Sequence, residues 1–435
     1  MDLHEPVLLL WTYAIASGII ADMNYFSPIP AGVVATPLEQ IDVSVAARFA
    51  DQTHWPWFDR LRTEDPVHYC ADSAFGPYWS VTRWDDIMTI ETNPQVFSSK
   101  MGILIGDRLD DLPLRSFITS DEPRHSEWRK PVQPGVSGAR LSEFEGIIRA
   151  RVGDILDNLP RNEEFDWVQK VSIELTTQML ATLFDFPWED RHLLTYWSDV
   201  ATATEQAGAG WIAHDARVKI LWECANYFKQ LWAERALQDP KFDFLSLMAH
   251  HPDTAGLVNQ PNDLLGNLLL LIVGGNDTTR NSISGGLLAL HQHPDQYAKL
   301  RADPALIPNS VSEIIRWQTP LAYMRRTAFE DFELAGKQIK ENDKVIMWYV
   351  SANRDSAKFK DPYTFDITRK NARQHMSFGF GIHRCMGNHV AEMQLRILWE
   401  EILKRFPIIE VVGPPERVVS NFVMGLSKLP VKIHG

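Results

Sequence analysis

One cysteine stands where it could do chemistry. Cys385 lies in the glycine-rich turn Phe378-Gly379-Phe380-Gly381-Ile382-His383-Arg384-Cys385-Met386-Gly387, and a helical pattern follows from Asn388 to about Arg405. A thiolate just ahead of a helix is stabilised by the positive helix end and by amide donors. Glycines, lacking side chains, let a flat group lie against the backbone. Those are the needs of a cysteine that ligates haem iron, where thiolate pushes electron density onto the metal and favours O–O cleavage. A buried structural cysteine beside a helix cap meets the same local description. A dinucleotide loop does not: Gly379-Phe380-Gly381 opens like Gly-x-Gly-x-x-Gly, but Arg384 takes the third glycine's place and no strand pattern precedes it.

A second stretch is unusual for its setting. Asp263 to His291 has the pattern of one long helix, with Asn262 as its cap, about 45 Å at a rise of 1.5 Å per residue. Its apolar first half is followed by Gly274-Gly275-Asn276-Asp277-Thr278. Two glycines inside a helix cost about 1 kcal/mol each relative to alanine. They make sense where the helix passes a planar group and leaves room for a small ligand, and an acid beside an alcohol there can relay protons. A helix kink with a threonine bonded back to its own carbonyls is the competing reading. Elsewhere, His125 and Arg129 lie four apart on one predicted helix face, with Asp121 as its cap. Glu313 and Arg316 stand three apart, and Arg325-Arg326 ends a Pro320-to-Arg326 stretch. Each of these is also an ordinary solvated pattern when taken alone.

Together these motifs resemble the cytochrome P-450 family. Phe378, Gly381, His383, Cys385 and Gly387 match its haem-binding loop Phe-x-x-Gly-x-His-x-Cys-x-Gly. Gly274 to Thr278 matches its oxygen groove, (Ala/Gly)-Gly-x-Asp/Glu-Thr. Glu313 and Arg316 fall where its structural Glu-x-x-Arg pair belongs, with Asn353-Arg354-Asp355 and Arg373 in the same network. The resemblance implies a mainly α fold with small β-sheets: a single catalytic domain over 41–435 after an N-terminal extension, 1–40. It implies haem b with Cys385 as the iron ligand. His125, Arg129, Arg326 and His383 would neutralise the haem propionates, and Phe378, Gly379 and Gly387 would cradle the ring. Asp277 and Thr278 would deliver protons to bound oxygen. Ile103, Leu104, Leu270, Val273, Gly274, Leu321, Met324, Phe422 and Val423 would face substrate.

The implied activity is a monooxygenase using O2 and two electrons, ultimately from NAD(P)H. The stretches around Gly274, Pro320 and Phe422 look like those of bacterial alkane and fatty-acid terminal hydroxylases, so the expected product is a terminal alcohol of a medium-chain alkane or fatty acid. A terpene or steroid is the alternative substrate, and a haem sensor or carrier the alternative without turnover. Peroxide-using members of the fold typically replace the acid–alcohol pair, so Asp277-Thr278 counts against them. No flavin or iron–sulfur motif is present, so electrons must come from separate proteins, and the resemblance implies an iron–sulfur ferredoxin and its reductase. Arg124, Lys130, Arg384 and Arg396 are expected to form its basic docking patch.

The rest of the chain must position these residues. At 435 residues, 45% hydrophobic and 23% charged, it has the composition of a globular protein with a large core. Three cysteines (Cys70, Cys224, Cys385) give no disulfide framework and point to a reducing, cytoplasmic setting. A net charge of -13 argues against nucleic acid. Val7 to Ile20 is apolar but short of the roughly 20 residues a membrane span needs, and no basic flank precedes it. Membrane contact is not expected, and a monomer is. Periodicity predicts helices over Ile41–Arg62, Trp84–Asn93, Leu141–Leu159, Trp167–Phe184, Asp190–Gln206 and Trp211–Ala236. A strand is predicted at Tyr78–Thr82, and Met101 to Gly106 is an apolar loop suited to lining a site. Hairpins are predicted over Phe332–Val350, turning at Lys340–Asp343, and between Phe422–Gly425 and Leu429–Ile433.

Overall fold

The computed structural model describes residues 31–108, 111–205, 208 and 212–434. Val7–Ile20 therefore lies outside the described residues, as do Gln206 and Trp211. Among the described residues, no helix is long and apolar enough to cross a membrane.

Ten helices build the surroundings of the site. They are α1 (Trp55–Glu64), α2 (Trp84–Glu91), α3 (Arg124–Val132), α4 (Ala139–Asp157), α5 (Glu174–Phe184), α6 (His192–Thr202), α7 (His214–Arg235), α8 (Pro261–Gln292), α9 (Ile307–Gln318) and α10 (Asn388–Arg405). Helix α8 is the axis. Pro261 at its first turn is preset for helical φ, and Asp263 complements the helix dipole while Arg115 holds its carboxylate at 2.7 Å. Asn262 is thus inside the helix, not its cap. Almost the whole length of α8 is buried, against α5, α6, α9 and α10. Helix α10 begins and ends where the sequence places it, with Lys404 and Arg405 in the last turn facing the negative helix end. Its buried Leu395, Leu398, Trp399 and Ile402 belong to the large helical core, and the helix packs on α4.

Among the described residues, twelve strands form four small sheets. One is five-stranded, in the order Val67–Cys70 (β1), Tyr78–Val81 (β2), Lys344–Met347 (β8), Met324–Ala328 (β5) and Phe97–Ser98 (β3). Its β2–β8 pair is parallel, and its other described pairs are antiparallel. Leu334 and Lys337 close a short hairpin between Phe332–Leu334 (β6) and Lys337–Ile339 (β7).

Several sequence expectations need correction. Ile41–Arg62 is not one helix: Ala46–Ala50 ends near Gln52, which has φ 59°, and α1 starts afresh with a proline in its first turn. Trp167–Phe184 opens as a π-helical segment, Val168–Ile173, before α5. The Phe332–Val350 hairpin turns at Ala335-Gly336, both with positive φ, and not at Lys340–Asp343; the segment beyond joins the five-stranded sheet. The C-terminal segments do not pair with each other. Leu426–Lys428 (β11) pairs with Glu416–Arg417 (β10), whereas Pro430–Ile433 (β12) lies between Glu164–Asp166 (β4) and Ile409–Val411 (β9). Asp121 does not cap α3; its carboxylate accepts from the Ser99 N–H at 3.0 Å and the Ser98 hydroxyl at 2.5 Å. Arg60 donates to the carbonyls of Val33 and Thr36, both at 2.6 Å, which ties residues 33–36 to α1.

Candidate active site

The cysteine loop is held from both ends. The Cys385 N–H donates to Phe378 O at 2.8 Å, and the Gly379 N–H to Met376 O at 2.8 Å. Gly379 and Gly381 have φ of 61° and 64°, a region other residues resist. At Gly381 a Cβ would also lie 2.1 Å from the Glu91 carbonyl, so the loop can press against α2 only as glycine. Cys385 is exposed, and what it is exposed to is the cavity it lines. Burial pushes its thiol up, opposed by the backbone N–H groups of Gly387 and Asn388 at the start of α10 and by Arg129 and Arg384. Cys70 and Cys224 are buried; burial pushes Cys70 up to about 11 and Cys224 up as well, so both are poor thiolates.

Behind the loop stands a saturated polar frame. Arg316 and Glu313 are wholly buried and make a bidentate pair, both contacts at 2.7 Å. Arg316 also donates to Asn353 O at 2.7 Å and Pro362 O at 3.0 Å. The Asn353 side chain accepts from the Met376 N–H at 2.7 Å and donates to Ser377 Oγ at 2.9 Å, carrying the frame into the loop. Arg354 belongs to the same cluster through Trp317 O at 2.9 Å. Arg373 does not. It is exposed and meets Glu392 at 3.8 Å, while Arg369, unforeseen in the sequence, reaches Glu313 at 3.2 Å.

On the facing wall, α8 presents the groove. A Cβ at Gly274 would meet nothing within 4 Å, whereas one at Gly275 would lie 2.7 Å from Leu180 Cδ2. One glycine opens the cavity and its neighbour lets α5 close in. Thr278 lines the cavity and donates to Gly274 O at 2.9 Å, which leaves its lone pairs free to accept. Asp277 is buried outside the lining. Its carboxylate pairs with Arg280 and accepts from Ser198 Oγ at 3.2 Å; burial pushes it up against the attraction of Arg280. Arg280 in turn meets the part-exposed Asp199 at 2.9 Å, so the chain Asp277–Arg280–Asp199 leads outward.

Between loop and groove lies a cavity of about 400 Å³. Its walls include Ile103, Leu104, Leu270, Val273, Gly274, Leu321, Met324 and Phe422, as the sequence predicts, together with Phe378, Gly379 and Gly387. Val423 is not among them; it is buried and bridges Leu321 through the backbone. Arg129, Arg326 and His383 line the cavity on the cysteine side. Arg326 donates to the buried Glu91 at 2.9 Å, and Glu91 also accepts from the Tyr349 hydroxyl. His383 Nε2 faces Ser99 Oγ at 3.0 Å, while its buried Nδ1 has no partner among the described residues. Burial and the nearby Arg326 push the His383 ring down, towards the neutral form. His125 is not in the lining: its ring nitrogens face Phe117 O at 2.9 Å and Ile382 O at 3.0 Å, so reaching a propionate would mean giving up the second contact.

Sequence reasoning missed Glu91, Tyr349 and Ser99 because nothing local marks them; Glu91 and Arg326 are 235 positions apart. It also missed Tyr323. This residue is buried, accepts from the Ile105 N–H at 3.1 Å and donates to Asn421 Oδ1 at 3.3 Å, pinning the apolar loop to the Phe422 turn.

The residues present fit a haem. They supply one thiol, open space at the Gly387 and Gly274 faces, and a buried ring nitrogen without a partner beside two arginines. Comparison with known proteins agrees. The cytochrome P450 family pattern matches residues 163–433. A solved structure, cytochrome P450-153 from Novosphingobium aromaticivorans, is 46% identical with a TM-score of 0.85, covering 90% of this chain and 99% of that one. Linalool 8-monooxygenase of Pseudomonas putida is 34% identical over 411 residues, 91% of this chain and 99% of its own. The methyl-branched lipid omega-hydroxylase of Mycobacterium tuberculosis is 31% identical over 396 residues, 86% of this chain and 90% of its own. The chain belongs to the cytochrome P450 family. It is a haem-thiolate monooxygenase that uses haem b, O2 and electrons derived from NAD(P)H, passed on by redox partners.

Proposed function

We propose that this monooxygenase hydroxylates medium-chain alkanes or fatty acids at the terminal carbon. The observation that carries the reading is the cavity wall: Ile103, Leu104, Leu270, Val273, Leu321 and Met324 offer dispersion contacts alone, and the polar groups on the cysteine side, Arg129, Arg326 and His383, are those that would hold the haem. A secondary C–H bond is weaker than a terminal one, so intrinsic reactivity favours attack inside the chain. Terminal attack therefore needs walls that present only the methyl end, a matter of placement within about an ångström. When bound, the haem supplies the reduction of O2 and the insertion of one oxygen atom. Cys385 would hold its iron, Arg129 and Arg326 would hold its carboxylates as the charged donors that buried carboxylates need, and the neutral His383 ring, with His125 after a shift, would add an N–H donor.

Thr278 would accept a hydrogen bond on the cavity side and pass on a proton. Asp277 would resupply it from Asp199 and solvent, which requires its carboxylate to leave Arg280 and Ser198. Electrons would come from a ferredoxin docking by electrostatic steering over Arg124, Lys130 and Arg384, all exposed. Arg396 is dropped from that patch because Glu145 at 3.2 Å and Glu400 at 2.8 Å already neutralise it. A cytoplasmic monomer with one catalytic domain over 41–435 completes the reading. The linalool-hydroxylating relative favours a terpene as second reading. Titrating alkanes, fatty acids and terpenes for the substrate-induced Soret shift, then locating the hydroxyl by mass spectrometry, decides between them. Products only at internal carbons, or shifts only with terpenes, would remove the terminal-hydroxylase reading.

A further inference from the structure

Among the described residues, the cavity lining contains three arginines and no carboxylate. Two are committed on the cysteine side: Arg129 donates to Arg384 O at 2.6 Å, and Arg326 to Glu91. The third, Arg217, stands elsewhere, on the first turn of α7. It donates through Nε to Val200 O at 3.1 Å and through Nη2 to Ala201 O at 3.0 Å, which fixes its guanidinium at the C-terminal end of α6. Those bonds leave Nη1 uncommitted among the described residues. Its neighbours on the lining include Ala201, Thr202 and Thr204. A Cβ at Gly208 would lie 2.9 Å from Ala46 Cβ and 3.6 Å from the Asn421 amide, so Gly208 sits close beside the Phe422 turn.

Arg217 pairs with no acid among the described residues. Burial alone pushes its guanidinium down, and no carboxylate pulls it back. A guanidinium still stays charged in a protein. A half-buried cation without a counter-ion, on the wall of an otherwise apolar cavity, is unfavourable unless something anionic comes to it. Its two carbonyl bonds fix the fork, so little ordering is lost when a carboxylate arrives.

We infer that Arg217 binds the carboxylate of a fatty acid, so that this enzyme takes its chain by the acid end and leaves the methyl end for the Cys385 side. The inference rests on the linear-chain reading and chooses the acid over the alkane within it. It also gives the selectivity for the terminal carbon a physical source. A chain tethered at its head has its reach set by its length, whereas an alkane can slide.

The test uses the full-length haem-loaded enzyme and three probes of one chain length: dodecanoate, methyl dodecanoate and dodecane. The wild type should bind dodecanoate tightest by Soret titration, with an affinity that falls as salt rises. Arg217→Leu should weaken dodecanoate by about tenfold to a hundredfold, the usual worth of a charged hydrogen bond, and leave ester and alkane unchanged. Arg217→Gln keeps a donor for the α6 carbonyls without the charge. It should lose the acid selectively too, and its dodecanoate products should drift to internal carbons. Equal wild-type affinity for acid and ester, or full acid binding by Arg217→Gln, would overturn the anchor while leaving terminal hydroxylation intact. Parallel weakening of all three probes in both variants would reduce Arg217 to a helix cap and overturn it as well. Failure of every linear probe to shift the Soret band, with a terpene shifting it, would bring down the linear-chain reading itself.

Discussion

The two walls of the cavity are built on opposite principles. The cysteine wall is over-determined: Glu313, Arg316, Asn353 and Arg369 are buried and bonded to one another and to backbone carbonyls around the loop. The groove wall is under-determined, a stretch of apolar side chains with a glycine facing open space. The first fixes one atom, the thiol, and tolerates no partner loss, because a buried charge left alone is far costlier than the pair is worth. The second can be re-cut by single side chains without unfolding anything. On the proposed reading, iron ligation would be confined to the rigid wall and substrate choice to the plain one.

The comparison predicts unequal responses to mutation. Glu313→Ala strands Arg316 and Arg369 and should cost about 3–5 kcal/mol, a large share of the roughly 5–15 kcal/mol that keeps a typical protein folded, so the melting temperature and the haem content should both fall. Thermal unfolding and haem content report it; a near-normal melting temperature would mean that the frame is dispensable. On the groove wall, Thr278→Ala should fold, bind substrate and consume reductant, with much of that reductant emerging as hydrogen peroxide. Unchanged coupling of reductant to product would show that the hydroxyl is not needed.

The two adjacent glycines sharpen the contrast further. Gly274→Ala adds a methyl into open space and should gain up to about 1 kcal/mol of helix propensity while narrowing the cavity against branched substrates. Gly275→Ala must displace Leu180 and should lose that gain. Paired melting curves and Soret titrations with linear and branched ligands separate them, and identical behaviour would contradict the assignment of their two faces.

How far these walls were legible in the sequence follows the same division. The loop, the groove and the Glu313–Arg316 pair are each carried by residues close in sequence, so type and spacing reveal them. The frame's remaining members are not. Arg369 and Arg373 are indistinguishable by pattern, and only the chain's path past Pro362 and Thr364 puts the former on Glu313. Arg217 reads in the sequence as one more cation on an amphipathic helix; that it meets no acid among the described residues is a three-dimensional fact. The expected hairpin turn at Lys340–Asp343 fails because β8, which follows it directly, pairs with β5 and β2, partners that no local pattern reveals.

A smaller effect lies away from both walls. His54 is buried, stacked on Phe49, and burial pushes it from 6.5 down to about 3. The folded state therefore binds fewer protons than the unfolded one. The stability from this group is fully present above pH 6.5 and is lost as pH falls from there towards about 3. His54→Phe should flatten part of that slope in chemical denaturation series between those limits. An unchanged slope would show that the ring is accessible to protons in the fold.

The central claim is that Cys385, held by the rigid wall, is the iron's ligand. The carbon-monoxide difference spectrum of the reduced protein tests it most directly. Wild type, Cys70→Ser and Cys224→Ser should all give the red-shifted Soret band of a thiolate-ligated haem, and Cys385→Ala should retain little haem and lack that band. A thiolate spectrum surviving in Cys385→Ala would contradict the account.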